Sequence, residues 1–190
     1  MKGLAPRRLS LKKFLRTYSG LLIPVILIIG LDQLTKLLVE TNLAYGEVWA
    51  PWPWLLQYAR IIHWTNTGVA FGLFQGVGWV FSIFAIGISI AILYYFPKIA
   101  REDWAIRVAL VLEMAGALGN MIDRLRIKGA VLDFISVGNF PVFNVADSCI
   151  TVGVVFLALG ILIQDQREKN KQVAASASNG ESSSKGSGQV

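Results

Sequence analysis

Asp133 and Asp147 bracket a short loop that carries Gly138 and Pro141, residue types that let a chain fold back on itself. Two carboxyls brought to one site cannot both ionise easily, so one keeps its proton while the other is charged. The ionised member can draw a proton from water, and the protonated member can protonate an oxyanion or a leaving amine. Such a pair titrates as a unit, so neither residue receives a fixed role. This is the chemistry of aspartic proteases, and it needs no metal. The spacing permits the closure without dictating it.

Other chemistries lack their parts. One histidine, His63, and one cysteine, Cys149, exclude a two-histidine zinc motif, a cysteine cluster and an internal disulfide. His63, beside Trp64, reads as structural, and Cys149 as a small apolar residue inside a helix. No Gly-x-Ser-x-Gly elbow is present, and the 18 glycines include no phosphate-cradling loop. Gly68, Gly72, Gly76, Gly116, Gly119 and Gly153 read instead as points of close helix packing. Neither a metal nor a cofactor is expected.

The elements that must position the two carboxyls are membrane helices. Of 190 residues, 54% are apolar and 16% charged, against about 45–50% and about 25% in soluble domains. Four apolar segments, about residues 19–39, 79–96, 105–122 and 145–163, approach the roughly 20 residues that a span requires. The second is the cleanest, with no acidic or basic residue between Arg60 and Lys98.

The net charge of +6 sits entirely in Lys2, Arg7, Arg8, Lys12, Lys13 and Arg16, since the remainder is balanced. A nucleic-acid binder would spread such charge over a folded surface, so no nucleic-acid partner is expected. Lys98, Arg101 and Arg107 lie between spans two and three, and Arg167, Lys169 and Lys171 follow span four. The loop between spans one and two has only Arg60, and the loop after span three dissents with Arg124, Arg126 and Lys128. On balance both termini face the cytoplasm. The first apolar run continues through Asp32 and Lys36, so it reads as an uncleaved helix and not a cleavable signal. Residues 1–18 form a basic arm and 19–165 one membrane domain. Residues 166–190, rich in Ser, Gly, Ala and Lys, read as a disordered cytoplasmic tail.

On this topology the polar residues gather at one depth, near the outer face. Asp32 and Lys36 are i,i+4 and can pair. Asn120 shares a helix face with Asp123 and Arg124, and Asn144 with Asp147. Asn66 and Asp133 lie in the outer loops. A charge at the centre of a span costs about 2.5–3.5 kcal/mol or more, so such groups usually face the bundle and have a role. Glu113 lies about 15 Å deeper at the helical rise. It reads equally as a proton-relay group or as a carboxyl bonded to a neighbouring helix, and stays outside the site. An ion or proton transporter would spread its polar groups into a path across the membrane, and a scaffold would merely pair its carboxylates.

Five ordered blocks carry a resemblance. They are Asp32-Gln33-Leu34-Thr35-Lys36, then Asn66-Thr67-Gly68-Val69-Ala70-Phe71, then Gly116-Ala117-Leu118-Gly119-Asn120-Met121-Ile122-Asp123-Arg124. Val131-Leu132-Asp133-Phe134 and Phe143-Asn144-Val145-Ala146-Asp147-Ser148 complete the set. The chain resembles the lipoprotein signal peptidases (signal peptidase II), integral-membrane aspartic endopeptidases of the bacterial inner membrane. The resemblance implies an all-α membrane protein, four transmembrane helices with a small extracytoplasmic β element and a mobile segment in the first outer loop. It implies a catalytic dyad of Asp133 and Asp147. Asp32, Lys36, Asn66, Gly68, Asn120, Arg124 and Asn144 would shape or support the site, and Asp123 would be structural, pairing with Arg124 or bonding Asn120.

The implied substrate is a prolipoprotein carrying diacylglycerol on a cysteine, cut just before that cysteine. Membrane lipids are the other implied partners, and a monomer is expected. Trp49, Trp52, Trp54 and Trp64 would suit interfacial anchoring. The tail is longer than the family needs, and the loop between the two acids looks short.

Overall fold

The computed structural model describes the backbone of residues 11–67 and 78–186, and the side chains of 17–67 and 78–172. The four helices are α1 (Leu11–Asn42), α2 (Gly78–Tyr95), α3 (Trp104–Arg126) and α4 (Val145–Gly186), and a short 3-10 turn (Phe96–Lys98) extends α2. Each contains a stretch long and apolar enough to cross a membrane: Thr17–Asn42, Gly78–Lys98, Trp104–Arg126 and Val145–Gln172. All four expected spans fall inside these stretches. Ile26 and Leu27 of α1 and Ile90 of α2 stay more than half exposed, as outward faces do when lipid and not water is the solvent.

α3 is the central helix and packs against α1, α2 and α4. Glycine makes the closest approach possible. A Cβ on Gly116 would stand 2.5 Å from the Ala146 carbonyl oxygen, and one on Gly119 would stand 3.0 Å from Asp32 Oδ2. One apolar cluster fills the end of the bundle nearer the 3-10 turn, with Leu21, Val25, Ile92, Phe96 and Met114 at its centre. A second, around Val39, Leu132 and Phe134, joins the helices to a small sheet.

That sheet is antiparallel in the order β1 (Val48–Trp49), β2 (Ala59–Asn66), β3 (Val131–Val137). It is larger than the sequence led us to expect. β1 and β2 lie in the first loop as anticipated, but β3 comes from the connection between α3 and α4. Val131–Phe134 are all buried, and a strand buried on both faces loses the alternation by which strands are read. Trp64 pairs with Asp133 and Asn66 with Val131, past a one-residue irregularity between Ile61 and Trp64 on β2.

The far end of α4 also departs from expectation. Where composition pointed to disorder from residue 166, the backbone is helical through Gly186. Gln164 and Arg167 both bond Asp103, at 2.7 and 3.2 Å, and Lys169 pairs with Asp165 one turn back. Extending an established helix costs far less than nucleating one.

Candidate active site

Two reversals bring the site together. After α3 the chain turns through Lys128 and Gly129, at φ +48° and +95°, and enters β3. After β3, Gly138 at φ +51° donates its N–H to the Tyr58 carbonyl at 2.7 Å. Phe143 then returns to exchange backbone hydrogen bonds with Ile135, at 3.0 and 2.8 Å. The short loop therefore closes as a hairpin, and it delivers Asn144 and the first turn of α4 beside Asp133.

Asn144 is the hub. It caps α4 reciprocally: its Oδ1 accepts from the Asp147 N–H (2.9 Å), and Asp147 Oδ2 accepts from the Asn144 N–H (3.2 Å). This is a capping box with aspartate in the acidic position. Asn144 Nδ2 donates across to Asp133 Oδ1 at 2.8 Å, so one buried residue holds both carboxylates. Asn66, at the end of β2, donates to Asp133 Oδ2 at 3.2 Å. Asn120, in the last two turns of α3, donates to Asp147 Oδ1 at 2.7 Å. Asp133 is 3% exposed. Burial, and then the charge of Asp147, pushes its carboxyl up from 3.8 to about 7 against the opposing pull of Asn66, Asn144 and Lys36.

Behind the pair lies an ion triad. Lys36 is fully buried and meets both Asp32 and Asp123 at 2.8 Å, with Asn120 Oδ1 accepting from its Nζ at 3.3 Å. The i,i+4 pair read from spacing is thus present. The partner expected for Asp123 is not. Asp123 neither pairs with Arg124 nor bonds Asn120: it takes Lys36, accepts from Gln33 Nε2 at 3.0 Å and from the Leu132 N–H at 3.1 Å. The reason is helical geometry. Successive residues point about 100° apart, so Asp123 faces α1 while Arg124 reaches the cavity. There the Arg124 guanidinium carbon lies 5.4 Å from the centre of the Phe81 ring.

Gln33 was absent from the expected site, although it donates to Asp32, to Asp123 and to the Gly119 carbonyl. An amide between Asp32 and Lys36 in an apolar span needs polar partners, and that signal was available. Asp32 also accepts from the Ala146 N–H at 3.0 Å, taking a free donor of α4's first turn.

Of the expected site residues, Asp32, Lys36, Asn66, Asn120, Asp123, Asn144, Asp133 and Asp147 form one continuous network, and Arg124 adjoins it across the cavity. Gly68 lies outside the described residues, as do Gly72, Gly76 and the start of the basic arm. His63 donates from Nδ1 to the Leu43 carbonyl at 2.9 Å, tying the sheet to the end of α1. Glu113 stands apart: its buried Oε1 has no hydrogen-bond partner among the described residues and lies against Gly153.

The network opens on a cavity of about 680 Å³. Asn66, Asn120, Arg124, Asp133 and Asp147 form its polar wall, and Phe81, Phe84 and Ile88 of α2 with Ile150 of α4 form its apolar one. Among the described residues, no cluster of three or more His, Cys, Asp or Glu side chains offers metal-ligand geometry. A pair of coupled carboxyls at the polar end of an apolar cavity can carry out acid–base chemistry on a polar bond attached to a greasy group.

Comparison with known proteins gives the family. The family model described as signal peptidase (SPase) II matches residues 24–163, a range containing every residue of the network. A lipoprotein signal peptidase of Shouchella clausii is 43% identical over 148 residues, covering 77% of this chain and 95% of its own. One from Staphylococcus aureus is 37% identical over 159 residues, covering 82% and 94%. Two solved structures, described as bacterial membrane enzymes determined by the in meso method, are 34% and 35% identical, with TM-scores of 0.70 and 0.66. They cover 78% and 76% of this chain and 91% and 93% of their own. The helices, the small sheet and the matched range together make this chain a multi-pass bacterial membrane peptidase, a member of the signal peptidase II family.

Proposed function

We propose that the protein is an aspartic endopeptidase that removes the signal peptide from diacylglyceryl-modified prolipoproteins, cutting just before the lipidated cysteine. The observation that carries this reading is Asn144 bonding both Asp133 and Asp147 at the rim of an apolar cavity. A water molecule between the carboxyls gives its proton to the ionised one, and its oxygen attacks the scissile carbonyl carbon. The protonated carboxyl stabilises the developing oxyanion by donating to it. The tetrahedral intermediate then collapses with transfer of a proton to the leaving cysteine amine, and the pair returns to its single-proton state.

The walls favour this substrate class. Phe81, Phe84, Ile88 and Ile150 belong to membrane helices, so acyl chains can stay in an apolar environment while the peptide bond reaches the carboxyls. Asn66 and Arg124 offer donors to the peptide on the polar side.

The loop charges favour cytoplasmic termini, which puts the carboxyl pair near the outer face of the inner membrane. Trp52 and Trp54 stack at 6.0 Å and Tyr45 and Trp64 at 5.5 Å, all exposed. Aromatic side chains of this kind sit well at the headgroup level.

The test is a purified, lipid-reconstituted enzyme given a prolipoprotein with and without the diacylglyceryl group, its products read by mass spectrometry. The expected result is one cut, with the lipidated cysteine as the new N-terminus. Equal cleavage of the unlipidated precursor, or a cut elsewhere, would refute the substrate assignment.

A further inference from the structure

We propose that Lys36 is a positioning residue for the carboxylate pair, acting through Asn120 to hold an N–H donor on Asp147. The proposal rests on reading Asp133 and Asp147 as the dyad.

An asparagine amide can occupy its site in two orientations that exchange oxygen for nitrogen, and only its neighbours choose between them. Lys36 carries donors and no acceptor. With its Nζ 3.3 Å from Asn120, the atom facing α1 has to be the carbonyl oxygen. The NH2 group then faces α4, where it meets Asp147 Oδ1 at 2.7 Å. Asn144 Nδ2 donates to the same Asn120 oxygen at 3.1 Å. A flipped Asn120 would set its NH2 against two donors and its carbonyl against a carboxylate.

Lys36 is itself locked. Its side chain has no solvent exposure and lies between Asp32 and Asp123 at 2.8 Å each. The triad reaches the first turn of α4 by a second route, since Asp32 accepts from the Ala146 N–H one residue before Asp147. Lys36 does not line the cavity, so it touches no substrate; it acts through the groups it holds and through its charge on Asp133, and a variant that keeps the net charge of the triad separates the two. A charged residue sealed in a span is costly to keep, and the orientation of Asn120 is the return that a purely apolar packing of α1 on α3 would not give.

The test is a double-mutant cycle on kcat and KM, using purified enzyme in lipid and a synthetic prolipoprotein peptide with a diacylglyceryl cysteine. Asn120→Ala leaves the ion pairs intact; kcat is expected to fall about 10- to 100-fold, as when a hydrogen bond to a charged group is lost, with KM nearly unchanged. Lys36→Met combined with Asp123→Asn preserves the net charge of the triad and is expected to cause a similar fall in kcat. Added to Asn120→Ala it should cost nothing more, because both changes remove one interaction. A triad with a merely structural role predicts fewer folded molecules and additive effects, without a selective loss of kcat.

Wild-type kcat in Asn120→Ala, a loss confined to KM, or additive losses in the cycle would each overturn the proposal. If that variant is not recovered folded, Lys36→Gln with Asp123→Asn replaces it in the cycle with the same readings, since the Gln amide stays polar but offers an acceptor as well as donors and so no longer dictates the orientation of Asn120. Asp147→Asn separates the two levels: wild-type cleavage by that variant defeats the dyad reading, whereas its inactivity alongside an additive cycle defeats only the role of Lys36.

Discussion

Replacing Asp133 with Asn should remove a pH dependence of stability as well as the reaction. The carboxyl sits at about 7, raised by burial first and by the Asp147 charge second, from an ordinary 3.8. A group whose folded-state value is raised favours the folded state while it is protonated. Between these two values the folded protein holds a proton that the unfolded chain has released, so stability falls as pH rises through that window. The shift is about three units, and at roughly 1.4 kcal/mol per unit the loss is on the order of 4 kcal/mol. Part of that belongs to the pair and not to Asp133 alone, because Asp147 is coupled to it.

In Asp133→Asn one incoming N–H, from Asn66 or Asn144, meets an amide NH2 in place of an oxygen. That penalty is constant with pH, so the slope and not the absolute stability is the informative quantity. Equilibrium unfolding in detergent micelles, followed through the six tryptophans, measures it. From about pH 4 to about pH 8 the wild type should lose stability relative to the variant, steeply and then levelling off. Parallel curves would refute the claim that burial holds this carboxyl protonated.

Other expectations follow from the same network. Asn144→Ala removes the side-chain cap of α4 and the Nδ2 donor to Asp133, while the backbone N–H to Asp147 stays; about 0.5–2 kcal/mol of stability should go with the cap, and kcat should fall about 10- to 100-fold, measured by thermal melts and peptide cleavage. Gly116→Val should cost about 1–3 kcal/mol or prevent assembly, because the added carbons meet the Ala146 carbonyl and Ile150 across a helix contact that has no slack. Retention of the wild-type melting temperature would show that α3 and α4 can part at low cost. A chelator should leave cleavage unchanged, given one histidine and one cysteine in the chain; activity lost on chelation and restored by added metal would contradict the carboxylate mechanism.

Much of the site could be read before the fold was known, and the misses share a cause. Helical spacing reports which residues share a face, so Asp32 with Lys36 and Asn144 with Asp147 were legible, and both pairs are in contact. Spacing does not report which neighbour that face meets. The resemblance left Asp123 to pair with Arg124 or bond Asn120 on its own helix, while the side chain turns to Lys36 on another. An amide in an apolar span signalled that Gln33 needs polar partners, but two of the three lie 86 and 90 residues away on α3, and no local pattern could say which they were. β3 was hidden by its own burial, with Asp133 in an otherwise apolar run. The closure of the loop needed three backbone bonds that composition does not encode: Gly138 to Tyr58 and the Phe143–Ile135 exchange.

The central claim is that Asp133 and Asp147 together perform the cleavage, and single substitution tests it most directly. Asp133→Asn and Asp147→Asn keep the size of the side chain, remove the charge, and change none of the apolar walls. Each should be measured for turnover of a diacylglyceryl prolipoprotein after folded recovery from membranes is established. Either substitution should abolish turnover, because one carboxyl alone cannot take the water's proton and at the same moment donate to the developing oxyanion. Wild-type turnover by either folded variant would contradict the account.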